Sequence, residues 1–194
     1  MANEKMGFYF DQKSCIGCRT CQAACKDKND LPLGILFRSV RDFEVGNFPN
    51  VGTYHYAGTC NHCMNPACVA GCPSGAMYVD EADGTVQHDD SKCIDCQYCV
   101  ENCPYGVPQF IEDLGVVHKC DACKTLRANG EQPACVASCP MRALEFDTYE
   151  NLLAAHPDAV LDIVVLPSSE TTDPCRLINA KDIALSGEPL EFRL

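Results

Sequence analysis

Residues 14–25 read SCIGCRTCQAAC and residues 92–103 read KCIDCQYCVENC, so one cysteine spacing occurs twice in the chain. In each segment, three cysteines are separated by two residues each, and a fourth follows after three more. Three thiolates from one tight loop can cover three corners of an iron–sulfur cube, and the fourth points away toward a second cube. The two segments therefore predict [4Fe–4S] clusters.

Two further runs are variants of this spacing, with four and eleven residues between their second and third cysteines. The four runs are Cys15, Cys18, Cys21, Cys25; Cys60, Cys63, Cys68, Cys72; Cys93, Cys96, Cys99, Cys103; and Cys120, Cys123, Cys135, Cys139. A proline follows the last cysteine of each run except the first, and CPSGAMYVD at 72–80 resembles CPMRALEFD at 139–147. This self-similarity indicates a duplicated unit.

Zinc is the alternative reading of these cysteines, because paired C-x2-C elements can form zinc sites with four thiolates. Zinc ribbons use two separated pairs and do not need the third and fourth cysteine of a run. Sixteen cysteines in this order favour iron–sulfur clusters. A zinc-stabilised interaction scaffold stays open as the alternative function.

The composition excludes several classes of protein. The 194 residues carry 15 basic and 27 acidic side chains, a formal charge of −12, so no basic nucleic-acid-binding surface is expected. Seventeen cysteines without a signal peptide argue against a disulfide framework. The longest apolar stretch, 159–166, is far shorter than the roughly 20 residues of a membrane span. We expect a cytoplasmic protein, or one peripheral at the cell membrane, exported only if a partner carries it.

The segments between the runs predict short strands at 7–11, 51–57, 76–79, 85–88, 116–118 and 143–146. Asp83-Gly84 predicts a hairpin between two of these strands. Short helices are expected at 22–26 and 97–103, and Asp147 with Glu150 predicts a capped helix to about His156. Residues 29–50 read as a loop insertion. In the tail, 161–166 reads as a strand, and the rest reads as an irregular segment that lies on a partner or wraps the body.

Other reactive side chains are weaker candidates. Basic residues at or near the predicted ligands are expected to be solvated, with tuning of cluster potentials as the alternative: Lys13, Arg19, Lys92, Lys119 and Lys124. Cys175 lacks any partner spacing and reads as a structural or free thiol. The five histidines are discounted, and Tyr98 and Tyr105 are expected to pack against clusters. No spacing of acid–base or nucleophilic groups predicts a catalytic site.

The four runs resemble those of the electron-transfer (beta) subunits of membrane-associated molybdopterin oxidoreductases, nearest to the dimethyl sulfoxide reductase iron–sulfur subunits. The supporting text is GFYFDQKSCIGCRTCQAACKD, CNHCMNPACVAGCPSGAM, KCIDCQYCVENCPYGVPQF and HKCDACKTLRANGEQPACVASCPMRALEF. The resemblance covers residues 6 to 166.

This resemblance implies an α+β fold of duplicated ferredoxin-like halves with four [4Fe–4S] clusters and an irregular C-terminal extension. It implies a tandem domain over 1–156, with one half at about 1–28 and 115–156 and the other at about 51–114, and a partner-binding extension over 157–194. The implied ligand sets are Cys15, Cys18, Cys21, Cys139; Cys25, Cys120, Cys123, Cys135; Cys60, Cys63, Cys68, Cys103; and Cys72, Cys93, Cys96, Cys99.

The resemblance also implies partners. A large catalytic subunit carrying molybdenum or tungsten on molybdopterin is expected beside the first and fourth runs. A membrane anchor subunit that reacts with quinone is expected beside the second and third. The protein itself is expected to relay electrons without a catalytic site and without spanning the membrane.

Overall fold

In the computed structural model, which describes residues 5–192, short strands and short helices alternate around the cysteine runs. The strands are β1 Met6–Asp11, β2 Ser39–Asn47, β3 Asn50–Gly58, β4 Met77–Val79, β5 Val86–His88, β6 Gln109–Ile111, β7 Val116–His118, β8 Leu144–Thr148, β9 Arg176–Asn179 and β10 Leu190–Phe192. The helices are α1 Thr20–Lys28, α2 Ala67–Ala70, α3 Tyr98–Asn102, α4 Lys124–Ala128, α5 Ala134–Ala137 and α6 Tyr149–Ala155. The fold is therefore a mixture of α and β elements.

The first sheet has the order β8-β1-β9 and contains the N-terminal strand at its centre. β1 pairs antiparallel with β8 and parallel with β9. Phe8 and Phe10 belong to the largest apolar cluster, whereas Tyr9 packs with Leu152 and Leu177 on the other face. Because both faces are covered, β1 is an unbroken apolar run rather than an alternating one.

The second sheet has the order β10-β2-β3 and overturns the prediction of a loop at 29–50. β2 and β3 pair antiparallel along their whole length, from Ser39 opposite Gly58 to Asn47 opposite Asn50. The strand was missed because charged residues interrupt its apolar pattern. One of them, Asp42, is buried and paired with two basic side chains.

Two small hairpins confirm other predictions. β4 and β5 pair antiparallel on either side of Asp83-Gly84, where Gly84 has a φ of +68°. β7 has the predicted bounds and pairs with β6, a strand that the sequence did not predict. The predicted helix after residue 147 forms as α6, but its cap is Thr148, whose hydroxyl accepts a hydrogen bond from the Asn151 N–H at 3.2 Å. Asp147 is therefore not the cap.

Equivalent positions in the cysteine runs have the same left-handed backbone. The residue before the second cysteine has a positive φ in every run: 69° at Gly17, 43° at His62, 53° at Asp95 and 54° at Ala122. The second residue after each Cys-Pro pair does so as well: 68° at Gly75, 61° at Gly106 and 52° at Arg142. α2 and α5 have the same sequence, ACVA, after a proline. α1 packs on α5, and α2 packs on α3.

The C-terminal segment wraps the body and is less irregular than predicted. β9 extends the first sheet and β10 extends the second. The predicted strand at 161–166 is wrong, because only an isolated bridge between Val160 and Ile178 forms there. Asp162 turns outward and accepts a hydrogen bond from the Ser169 N–H at 3.0 Å, which ends the extended segment.

Across residues 5–192, none of the helices has the length and apolar character needed to cross a bilayer.

Candidate metal centres

All 17 cysteines are free thiols. Sixteen of them form four groups, defined by shared cavities and by neighbouring thiols. Group 1 consists of Cys15, Cys18, Cys21 and Cys139, which line one cavity together. Burial raises the pKa of Cys15, and the nearby thiolates of Cys139 and Cys18 raise it further. Four thiols around one cavity fit the donor set of a cubic iron–sulfur cluster.

Group 2 consists of Cys25, Cys120, Cys123 and Cys135. Burial raises the pKa of Cys25 to about 12, and the neighbouring Cys135 and Cys123 thiolates add to the shift. Burial likewise raises the pKa of Cys120, with Cys60, Cys25 and Cys135 as its thiolate neighbours. All four side chains are buried, so group 2 is the most enclosed of the four groups.

Group 3 consists of Cys60, Cys63, Cys68 and Cys103, which line a second cavity. Burial raises the pKa of Cys68 to about 12, and Cys60, Cys103 and Cys63 are its thiolate neighbours. The donor set again fits a four-iron cluster.

Group 4 consists of Cys72, Cys93, Cys96 and Cys99. Burial raises the pKa of Cys99 to about 11, and the thiolates of Cys72, Cys93 and Cys96 raise it further. In each of the four groups, the thiol that closes one run lies with thiols of a different run. These groups have the same membership as the ligand sets that the family resemblance implies.

Three apolar clusters connect the groups in a row. The first cluster contains Cys21 and Cys139 of group 1 together with Cys135 of group 2. The second contains Cys25 and Cys120 of group 2 together with Cys60 of group 3. The third contains Cys68 of group 3 and Cys99 of group 4, with Cys72 packed against it. The groups therefore follow one another in the order 1, 2, 3, 4.

Backbone N–H groups point at several of the sulfurs. Ala143 donates to Cys139 Sγ at 3.4 Å, Ala122 to Cys120 Sγ at 3.3 Å and Met77 to Cys72 Sγ at 3.4 Å. Side chains add to this, since the Asn29 amide lies 3.6 Å from Cys25 Sγ and the Thr20 hydroxyl 3.3 Å from Cys18 Sγ. Such donors offset negative charge on thiolates and help to set cluster potentials.

A buried carboxylate positions the first cysteine loop, and sequence reasoning missed it. The side chain of Asp42 is 1% exposed, forms an ion pair with Arg19 and lies 2.7 Å from Nδ1 of His55. Arg19 precedes α1 in a left-handed conformation, and the ring of His55 lies against the backbone of Gly17. Asp42 thus ties the second sheet to the loop that presents Cys15 and Cys18. Its sequence signal was limited to a carboxylate that lies next to Phe43 and two residues from Val40.

The basic residues near the runs differ in burial. Lys119 is 4% exposed, donates to the carbonyl oxygens of Val86 and Cys120, and lines the cavity of group 3, so the expectation of a solvated side chain is wrong for this residue. Lys92 and Lys124 form ion pairs at the surface with Asp89 and Asp80.

The remaining candidates lie outside the four groups or at their edges. Cys175 is fully buried, and its N–H donates to the Asn61 carbonyl at 3.0 Å. His62 is buried and neutral, because burial lowers its pKa well below the ordinary value, and its Nδ1 accepts a hydrogen bond from the Val86 N–H at 3.0 Å. Tyr105 lines the cavity of group 3, whereas Tyr98 is exposed.

A second set of possible ligands contains no cysteine and consists of His88, Asp90 and His118. Asp90 Oδ1 lies 2.9 Å from Nδ1 of His88, and Asp90 Oδ2 lies 3.1 Å from Nε2 of His118. Because β5 carries His88 and β7 carries His118, this set links the two small hairpins. The carboxylate oxygens are engaged by the two rings.

Comparisons with known proteins identify an iron–sulfur domain and relatives of this protein. Residues 51–149 match the family of 4Fe-4S dicluster domains. Over 176 residues, 87% of this protein and 85% of the relative, the sequence is 43% identical to the probable anaerobic dimethyl sulfoxide reductase chain YnfG of Escherichia coli strain K12. Over the same coverage it is 42% identical to the corresponding subunit of the anaerobic dimethyl sulfoxide reductase of that strain. It is 44% identical over 139 residues, 70% of this protein and 72% of the relative, to the thiosulfate reductase electron transfer subunit PhsB of Salmonella typhi.

Proposed function

Because this protein belongs to the family of iron–sulfur electron-transfer subunits of anaerobic dimethyl sulfoxide reductases, we propose that it relays electrons through four [4Fe–4S] clusters. The relay runs between a molybdopterin catalytic subunit and a membrane quinone-reactive subunit or another redox partner. The ligand sets are Cys15, Cys18, Cys21, Cys139; Cys25, Cys120, Cys123, Cys135; Cys60, Cys63, Cys68, Cys103; and Cys72, Cys93, Cys96, Cys99. When bound, such clusters supply one-electron transfer.

The observation that carries this proposal is the row of thiol groups. Each pair of consecutive groups shares one apolar cluster, whose side chains pack in the space between neighbouring sites. Buried thiols and N–H donors hold the sites at fixed positions within this packing. A row of four sites suits a relay better than isolated structural metals.

The two ends of the row are the surfaces where partners would dock. Cys18 of group 1 and Cys96 of group 4 are exposed. Beside them lie Ile16, 58% exposed, and Ile94, 64% exposed, at equivalent positions of the two runs. Exposed apolar side chains next to exposed ligands favour contact with other proteins. By the family resemblance, the end at Ile16 faces the catalytic subunit and the end at Ile94 faces the membrane side.

The proposal includes the domain organisation expected from the sequence. One ferredoxin-like half comprises about 1–28 and 115–156, and the other about 51–114. The repeated left-handed positions and the shared ACVA helices support this duplication. Residues 157–194 form the extension, which contributes β9 and β10 and is proposed to contact a partner as well.

Anaerobic purification of the protein with its native partners tests the proposal. We expect a co-purifying large subunit that carries molybdenum or tungsten. Ile16→Glu should release that subunit, and Ile94→Glu should release the second partner, because each places a charge at one apolar end. Leu33→Glu, at a residue that is 95% exposed and outside the four cysteine runs, is the control and should leave the complex intact.

Recovery of the wild-type protein as a monomer without a large partner would contradict the subunit role. An unchanged complex in both isoleucine variants would contradict the placement of the two ends.

A further inference from the structure

The side chain of Arg38 is the most deeply buried positive charge near the cysteines. It lies just before β2 and is 1% exposed. Its Nη1 donates a hydrogen bond to the Ala57 carbonyl at 2.9 Å, and its Cζ lies 5.0 Å from the centre of the Phe8 ring. The guanidinium is therefore held in one place by β1 and β3.

Arg38 lacks the anionic partner that Arg127 and Arg176 have. Arg127 pairs with Asp83 at 2.6 Å, and Arg176 lies 3.8 Å from Asp162. Within residues 5–192, no carboxylate lies within ion-pair distance of Arg38, and its Nε and Nη2 atoms are buried without a hydrogen-bond partner. A buried charge is costly unless a compensating charge and hydrogen-bond acceptors are close to it.

Arg38 lies between two apolar clusters that contain predicted cluster ligands. The adjacent residue Phe37 belongs to the cluster with Cys25 and Cys120. Phe8, whose ring faces the guanidinium, belongs to the cluster with Cys21 and Cys135. Three of these four cysteines belong to group 2, and Cys21 belongs to group 1.

We propose that Arg38 is the fixed counter-charge of the cluster held by group 2 and, more weakly, of the cluster held by group 1. Its free N–H groups are the donors available to the sulfurs, and its charge holds the reduction potential of the group 2 cluster above the value that the thiolates alone would give. Reduction adds one electron to the cluster without a proton, so a nearby fixed cation stabilises the reduced form. This inference rests on the proposed function.

Potentiometric titration of the whole complex, followed by electron paramagnetic resonance, tests this role. We compare wild type with Arg38→Met, which removes the charge, and Arg38→Lys, which keeps it. The Met variant should lower the midpoint potential of one cluster by at least 59 mV, a tenfold change in the ratio of reduced to oxidised cluster. The Lys variant should keep a midpoint potential close to that of wild type.

Arg41→Met is the matched control, because Arg41 lies three residues further along the same segment, has a side chain that is 41% exposed and pairs with Glu191. Its potentials should equal those of wild type.

Iron content separates the possible results. Wild type with fewer than four clusters would refute the proposed function itself. Full iron and unchanged potentials in Arg38→Met would overturn the role of Arg38 and leave the relay intact. If the Met variant loses iron, Arg38→Gln replaces it under the same expectations. If both neutral variants lose iron and Arg38→Lys keeps it, the result supports the counter-charge. If Arg38→Lys loses iron as well, Arg38 has a packing role and the counter-charge proposal is overturned.

Discussion

Gly17 shows how one residue shapes a ligand loop. Its φ is +69°, and a Cβ built on it would lie 2.6 Å from ring atoms of His55. The equivalent position of the third run is Asp95 with a φ of 53°, which an aspartate tolerates better than most residues. Because His62, Asp95 and Ala122 adopt a positive φ at the equivalent positions, it is the close packing against His55 that requires glycine at position 17. The His55–Asp42 contact keeps the ring in place.

Gly17→Ala should remove the cluster of group 1. The added methyl group strains the left-handed backbone by about 1–2 kcal/mol and also pushes against His55. We expect iron to fall by up to four atoms per protein molecule and one cluster signal to vanish, measured by iron analysis and electron paramagnetic resonance.

Gly75→Ala is the control for this change. Gly75 has a φ of +68°, but a Cβ there meets nothing within 4 Å, so only the backbone strain remains. Equal iron content in the two variants would show that the contact with His55 does not matter.

Cys175 gives a prediction about pH. Burial raises the pKa of its thiol to about 12 in the folded protein. In the unfolded protein the thiol has a pKa of about 8.5. Between these two pH values, the thiol is neutral in the folded protein and ionised in the unfolded protein. The resulting stabilisation is complete below about pH 8.5 and declines as the pH rises toward 12. Wild type should therefore lose stability relative to Cys175→Ala over this range, measured by thermal unfolding.

The same variant tests the assignment of Cys175 as a thiol that binds no cluster. Cys175→Ala should retain all the iron of wild type. Loss of a cluster in this variant would mean that Cys175 is a ligand.

At the residue scale, the sequence predicted the sixteen clustered cysteines and set Cys175 apart from them. The ligand assignment stays a prediction, although the grouping of the thiols agrees with it. Arg38 and Asp42 could not be predicted, because their importance comes from burial between distant segments. Lys119 was named from its position, but only the fold shows that it is buried.

At the element scale, the sequence predicted most strands beside the cysteine runs, but it missed β6 and α4 there and β2 farther away. β1, β3 and β7 have dense β-branched or aromatic sequences and were predicted. β2 was missed because its buried Asp42 is satisfied by contacts that no local pattern reveals. The segment at 161–166 is apolar enough for a strand, but β9 takes the place beside β1 instead.

The docking of the tail on β1 depends on the small size of Gly7. The Phe8 N–H donates to the Cys175 carbonyl at 3.1 Å, and a Cβ on Gly7 would lie 2.6 Å from that same oxygen. Gly7→Ala should therefore push β9 away and destabilise the protein by about 1–3 kcal/mol. Hydrogen exchange of the amides in 176–179 should become faster by at least tenfold.

Gly34→Ala serves as the comparison, because a Cβ on Gly34 meets nothing within 4 Å. Exchange in 176–179 that stays slow in Gly7→Ala would contradict the close packing of the tail on β1.

At the scale of the whole molecule, the grouped thiols are part of the apolar core. The 46% of residues counted as hydrophobic includes 17 cysteines, and the apolar clusters of the structure contain thiols in three of four cases. Metal binding is then part of the folding free energy. The crossing of ligands between runs came from the family resemblance, because spacing alone does not say which runs meet.

The measurement that tests the four-cluster account most directly is the metal content of the anaerobically purified protein. Iron, acid-labile sulfide and zinc are quantified per protein molecule, and the reduced protein is examined by electron paramagnetic resonance. The account predicts about sixteen iron and sixteen sulfide per molecule with only trace zinc, since each cube holds four of each. About eight iron per molecule, or zinc in place of iron, would contradict it.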